Sequence, residues 1–145
     1  TVTGGEPLAQ KRCIDLLKQL CDEGYDVSLE TSGALDISQV DRRVSRVMDL
    51  KTPASKEEAK NLYSNIDLLT EHDQLKFGIC DRIDYKWALS KINEYDLPSR
   101  CEVFFSSSHE QLKPKQLADW ILADQLSVRF QMQLHKYLWN DEPGR

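Results

Sequence analysis

Five short clusters hold the residues of this chain that could do chemistry. Thr3-Gly4-Gly5-Glu6-Pro7 sets two glycines beside a carboxylate. Glycine reaches backbone angles closed to other residues and lets a ligand approach the main chain. Glu6, next to freed backbone groups, is a receptor for a ligand ammonium. The same residues also read as a plain turn into a helix, with Glu6 as a first-turn charge, and spacing alone leaves the two readings level. Glu30-Thr31-Ser32-Gly33 offers hydroxyls and a turn glycine, to a ligand or to a helix cap. Asp49-Leu50-Lys51 places a cation beside a carboxylate. It reads as a contact to a ligand carboxylate or ribose, or as a surface ion pair of little energetic weight. Ser106-Ser107-Ser108-His109 invites a nucleophile reading, but no G-x-S-x-G elbow surrounds it. A hydroxyl-rich binding loop or a turn fits better. His135-Lys136 could hold an acid–base histidine, with a structural histidine at a strand end as the favoured reading.

These clusters need a scaffold, and the chain predicts one by alternation. Leu8 to Glu23 carries an apolar stripe at helical spacing, stopped by Gly24. Asp26 to Thr31 and Arg43 to Leu50 read as strands. Pro53 breaks the run, and Ser55-Lys56-Glu57-Glu58 has the form of a capped helix start, predicting a helix to about Tyr63. A second short turn is expected from Asn65 to Leu69. Gln74 to Cys80 alternates as a strand, and Asp81 caps a helix to about Tyr95 with Ile83, Trp87, Ala88 and Ile92 inward. Glu102 to Ser106 is a strand, Pro114 opens a helix through Ala123, and Ser127 to Leu134 is the last strand. Strand and helix in alternation predict an α/β fold of mostly parallel strands with crossover helices. Ligands of such folds bind at the carboxyl ends of the strands. All five polar clusters fall at predicted strand ends, which should place them on one rim.

Composition narrows the classes. The chain has 145 residues, 40% hydrophobic and 30% charged, with net charge −5 at pH 7. That describes a folded, single-domain protein over residues 1–145 and argues against nucleic acid or an anionic membrane as partner. No apolar run is long enough to span a bilayer, and the first residues have no signal-peptide pattern, so a cytoplasmic location is expected. Cys13, Cys21, Cys80 and Cys101 form no C-x-x-C pair and read as free thiols rather than a zinc site. Arg42, Arg43 and Arg46 read as a solvated basic spot. Thr1-Val2-Thr3 reads as the tail of a strand with nothing before it, which predicts that material precedes Thr1.

Taken together, the clusters carry a resemblance. Thr3-Gly4-Gly5-Glu6-Pro7 after a strand resembles the GGEP signature of radical S-adenosylmethionine (radical SAM) enzymes, and Leu29-Glu30-Thr31-Ser32-Gly33 is typical of them. Asp49 to Ser55 (DLKTPAS), Leu75-Lys76-Phe77, Phe105-Ser106 and the closing Gln131 to Trp139 (QMQLHKYLW) resemble the 7-carboxy-7-deazaguanine synthase family. The resemblance covers essentially the whole chain. It implies a partial, open (β/α) barrel. It also implies a carbon–nitrogen lyase that converts 6-carboxy-5,6,7,8-tetrahydropterin to 7-carboxy-7-deazaguanine with loss of ammonia, in queuosine and deazapurine biosynthesis. The implied cofactors are SAM, a 4Fe-4S cluster that cleaves it reductively to a 5′-deoxyadenosyl radical, and Mg²⁺. A flavodoxin or ferredoxin as reductant and a homodimer are the implied partners.

Carried over residue by residue, the resemblance assigns Gly5, Glu6, Ser32, Asp49, Leu50, Lys51, Ser106, Ser107, Ser108 and His109 to SAM, with Glu6 on its ammonium. Thr3 and Arg145 are assigned to the pterin. Of a Ser-Pro-Lys run common in the family only Lys51 matches, and serines stand where many members have Gln-Pro. The family's C-x-x-x-C-x-x-C cluster loop has no counterpart here. The chain thus resembles the C-terminal portion of the enzyme, expected to be inactive alone, with the cluster and Mg²⁺ ligands lying outside it. The alternative reading is a non-catalytic, truncated SAM- or nucleotide-binding module.

Overall fold

Alternation over Gln74–Ile79 is the pattern of a half-buried strand, and there the chain forms one, with Leu75, Phe77 and Ile79 buried. The computed structural model describes residues 1–108, 111–139 and 142, with His135 and Tyr137 by backbone alone. The strands are β1 (Ser28–Thr31), β2 (Ser45–Asp49), β3 (Gln74–Ile79), β4 (Glu102–Ser107) and β5 (Arg129–Gln131). They pair in parallel in the sequential order β1-β2-β3-β4-β5. Val2 adds a parallel bridge to Leu29 beyond β1, so the expected strand tail is present. Helix α1 (Cys13–Asp22) separates Val2 from β1, α2 (Arg82–Tyr95) separates β3 from β4, and α3 (Pro114–Ala123) separates β4 from β5. This is the expected α/β fold of parallel strands with crossover helices, a winding compatible with an open (β/α) barrel.

One face of the sheet holds the core. Leu29, Met48, Leu75, Phe77 and Phe105 are fully buried there, beneath Leu17 of α1, Tyr85 and Ala88 of α2 and Leu117 of α3. Phe105 meets both Phe77 and Tyr85 edge-on, at 5.5 and 5.8 Å between ring centroids. Each such ring contributes about 1.5–3 kcal/mol by burial.

Local capping signals succeed where tertiary demands agree with them. The Asp81 carboxylate accepts the Ile83 and Asp84 N–H groups at 2.8 Å and starts α2. Pro114 is the first residue of α3. Elsewhere the structure corrects the sequence reading. The stripe from Leu8 is split: a 3₁₀ turn at Pro7–Ala9 ends at extended Gln10, and α1 starts only at Cys13. The helix expected from Ser55 to Tyr63 does not form. Lys56 takes a left-handed φ of 60°, and the segment folds as 3₁₀ turns at Pro53–Ser55, Glu58–Lys60 and Tyr63–Leu68. Hydrogen bonds to the rest of the molecule, from Ala54 N to Asp84 and from Asn61 to Lys51, override the local cap. β5 is shorter than Ser127 to Leu134, and Leu134–Trp139 forms α4, so His135-Lys136 lies in a helix rather than at a strand end. Ile83 is exposed. The inward face of α2 is rotated to Asp84, Tyr85, Ala88 and Ile92 because Asp84 and Tyr85 find partners inside.

Arg46 departs furthest from its expected solvated place. It is buried, and its guanidinium donates to both oxygens of Asp73, at 2.9 and 2.5 Å, and to the Leu68 carbonyl. Burial pushes the Asp73 carboxyl up. The Arg46 side chain and the Arg46 and Thr70 N–H groups outweigh that and hold it below the usual aspartate range. Asp73→Ala leaves a buried, uncompensated guanidinium and is expected to cost about 3–5 kcal/mol in urea denaturation. A carboxylate held low contributes stability above its unfolded pKa and loses it as pH falls through the folded one. The gap between wild type and Asp73→Asn should therefore narrow on acidification below about pH 4.

Candidate functional site

In-register parallel partners share a face, so the pairing lays out the other side of the sheet. Asp49 pairs with Lys76, Lys76 with Phe104, and Phe104 with Arg129, which sets four residues in one row. The next row toward the carboxyl ends is Gly78, Ser106 and Gln131. A row toward the amino ends holds Glu30, Val47, Gln74 and Glu102. This face is polar along its middle and only half-buried.

Two adjoining clefts open on it. One, of about 520 Å³, is lined by Asp49, Leu50, Lys51, Thr52, Lys76, Gly78, Cys80, Ser106 to Ser108 and Lys136, among others. The other, of about 200 Å³, is lined by Thr3, Gly5, Glu30, Ser32, Asp49, Lys51, Lys76, Phe104 and Gln131. Asp49, Lys51 and Lys76 belong to both. Gly5, Ser32, Lys51 and Ser106, far apart in sequence, are thus gathered around one mouth. Leu50 reaches it with its side chain buried in the core. Of the remaining sequence-derived candidates, His109 and Arg145 lie outside the described residues.

Each edge of the mouth is held by side chains that bond to backbone. Gly5, at φ 63°, turns the chain after Thr3. Glu6 then reaches back: its carboxylate accepts from Leu8 N, the Thr31 hydroxyl, Ser32 N at 2.8 Å and the Ser32 hydroxyl at 2.5 Å. Four donors on one carboxylate weld the first turn to the turn after β1. Burial raises the Glu6 carboxyl, and the Ser32 and Thr31 hydroxyls and the Ser32 and Leu8 N–H groups bring it below the usual glutamate range. Thr3 donates to Glu30 at 3.0 Å.

Asn61 clamps Lys51, accepting from its N–H at 2.9 Å and donating to its carbonyl at 2.8 Å, as a neighbouring strand would. The Lys51 ammonium meets Asp49 at 2.7 Å. Asn65 donates to the Gly33 and Leu35 carbonyls and accepts from Ile37 N. Asp84, fully buried, accepts from the Thr52 hydroxyl, Ala54 N and Cys80 N, and so closes the floor of the larger cleft. The Cys80 thiol is raised, mainly by burial, and so is not a ready thiolate.

The sequence reading missed Lys76, Phe104 and Gln131 as site residues, and Asn61, Asn65 and Asp84 as their supports. Lys76, Phe104 and Gln131 did leave a signal: parallel strands covered on both faces read as continuous apolar runs, whereas β3 alternates. The supporting residues left none, because their partners are backbone groups distant in sequence.

A cleft of this size suits a small organic ligand. Lysine ammonium groups, hydroxyls and turn N–H groups offer partners for the carboxylate, ribose and adenine of SAM. Among the described residues, no three His, Cys, Asp or Glu side chains converge to hold a metal ion. Cys13, Cys21 and Cys101 are buried, and all four cysteines are free thiols. Among the described residues no set of cysteines converges to fit an iron–sulfur cluster. No helix among them is long and apolar enough to cross a membrane.

No family model matches the chain. Curated relatives do. The 7-carboxy-7-deazaguanine synthase of Chlorobaculum tepidum is 42% identical over 144 residues, covering 97% of this chain and 66% of that protein. Its counterpart in Koribacter versatilis is 38% identical over 155 residues, covering 97% of this chain and 69% of that protein. That of Thermoplasma acidophilum is 31% identical, covering 98% of this chain and 68% of that protein. The chain spans about two thirds of the length of the relatives it matches. With relatives 31–42% identical over nearly the whole of this chain, the chain belongs to the 7-carboxy-7-deazaguanine synthase family.

Proposed function

We propose that this chain forms the SAM- and pterin-binding part of a radical SAM lyase. That enzyme would convert 6-carboxy-5,6,7,8-tetrahydropterin to 7-carboxy-7-deazaguanine with loss of ammonia, in the queuosine pathway. The observation that carries the reading is the shared mouth: strand-end turns distant in sequence line two clefts that meet at Asp49, Lys51 and Lys76. The relatives' names support the enzyme over a non-catalytic nucleotide-binding module. A cytoplasmic setting, an electron donor of the flavodoxin or ferredoxin kind and a homodimer belong to the same reading.

SAM, when bound, supplies the hydrogen-abstracting chemistry. This chain's own residues bind, orient and enclose. In this reading the larger cleft takes SAM, with Ser106 to Ser108 along one wall and Lys51 on its carboxylate or ribose. Gly5 lines the smaller cleft, where it lets a ligand reaching across the shared mouth lie against the main chain. Glu6 lines neither of these clefts; its charge would favour the ligand's ammonium from beneath the turn, while its lone pairs keep Thr31 and Ser32 in place. The smaller cleft, with Thr3, Glu30 and the Phe104 ring, takes the flat heterocycle.

Titration calorimetry of this chain with SAM tests the assignment. Binding is expected, and Lys51→Ala should weaken it about tenfold, the loss of one charge-assisted contact at a half-exposed site. No heat from the wild type would sink the reading, and an unaltered Kd would remove Lys51 from the site.

Glu6 allows a pH test. Its carboxyl is held low, so its support of the two turns is present above the ordinary glutamate pKa and lost as pH falls through the folded value. Glu6→Gln should be less stable than wild type at pH 7, with the gap closing below about pH 4. Parallel pH dependence of the two melting points would refute this role.

A further inference from the structure

Lys76 sits on the middle strand of the five, and nothing in the reading above gives its charge a partner. The register sets it between Asp49 and Phe104 on the open face. It lines both clefts, a position shared only with Asp49 and Lys51 among the described residues. Those two neutralise each other at 2.7 Å. The Lys76 ammonium has no ion pair or hydrogen bond among the described residues, although the residue is half-buried. Drawing a charge partly out of water is costly unless an opposite charge meets it. Of the groups facing this position, Phe104 is apolar, Gln131 and Ser106 are neutral, Asp49 is engaged by Lys51, and Glu30, which shares the smaller cleft, accepts from the Thr3 hydroxyl and makes no ion pair with Lys76.

We propose that the Lys76 ammonium binds a ligand carboxylate at the junction of the two clefts. The proposal rests on the reading of those clefts as SAM and carboxypterin sites. Both ligands carry a carboxylate, and the shared chemistry is an N⁺–H···O⁻ hydrogen bond in a partly dry site. Lys76 would then mark where the two ligands face each other, a binding role separate from that of Lys51.

The test is calorimetry on this chain, titrated in one arm with SAM and in the other with 6-carboxy-5,6,7,8-tetrahydropterin. Lys76→Met is expected to weaken one of the two by about ten- to a hundredfold, which names the source of the carboxylate. The other ligand should stay within about twofold. Lys76→Arg should recover most of the loss. The carboxyl-free counterpart of the affected ligand, decarboxylated SAM or an uncarboxylated tetrahydropterin, should bind wild type and Lys76→Met alike. A merely structural lysine would not produce that last result. Circular dichroism checks the fold, and if Lys76→Met is unfolded then Lys76→Gln is read in its place. Equal binding of both ligands by wild type and variant, or an equal loss for the carboxyl-free ligand, overturns the proposal and leaves the cleft assignment standing. Failure of the wild type to bind either ligand removes the cleft assignment and the proposal with it.

Discussion

Because in-register parallel partners lie on the same face, the pairing of Asp49 with Lys76, and of Lys76 with Phe104, commits whole rows of side chains at once. Leu75, Phe77 and Phe105 then face the helices, and Lys76, Gly78 and Ser106 face away from them. A one-residue slip of β3 would send a lysine into the core and a phenylalanine into the cleft. Register is thus guarded by the apolar rows, and the polar rows inherit that precision. The strands that hold the core together are the same strands that aim the site.

The turns above the strands are held by a different device. Glu6, Asn61, Asn65 and Asp84 each make two or more hydrogen bonds, mostly with backbone groups that lack a helical or strand partner. Among the described residues, no buried side-chain polar atom is left without a hydrogen-bond partner. A satisfied buried carboxylate or amide confines a loop more narrowly than apolar contact does, because hydrogen bonds are directional and costly to leave unmade. This explains how the segment from Pro53 to Leu68 can do without a regular helix. It is fastened at Ala54, Asn61 and Asn65 rather than along its own axis.

Charge is distributed to match. The chain is acidic overall, yet Lys51, Lys76 and Lys136 line one cleft, whose Asp49 is paired with Lys51 and beneath which Asp84 is engaged by Thr52 and backbone N–H groups. A local positive field inside a net negative surface selects a small anionic group over a polyanion. Arg46 and Asp73 form their buried pair at the amino end of β2 and just before β3, at the opposite end of the strands from the clefts.

Much of the design is legible in the letters. Alternation in β3 and β4, the Asp81 cap, Pro114 at the head of α3 and the glycine turns are local signals, and each produced the element it predicts. The gathering of polar clusters at strand ends followed from the parallel winding alone. Sequence order could not reveal that Lys56 would turn left-handed, that Arg46 would be buried, or that a lysine in an ordinary alternating strand would stand between two clefts. These outcomes depend on partners 22 to 32 residues away, Asp73 and Leu68 for Arg46 and Asp84 for Thr52 and Ala54. Local propensity is worth tenths of a kcal/mol per residue, whereas a buried polar group demands its hydrogen bonds at several times that cost. The sequence by itself determined the elements and the rim to which they deliver their polar ends; the tertiary structure decided which of those side chains support the site and which remain open to a ligand.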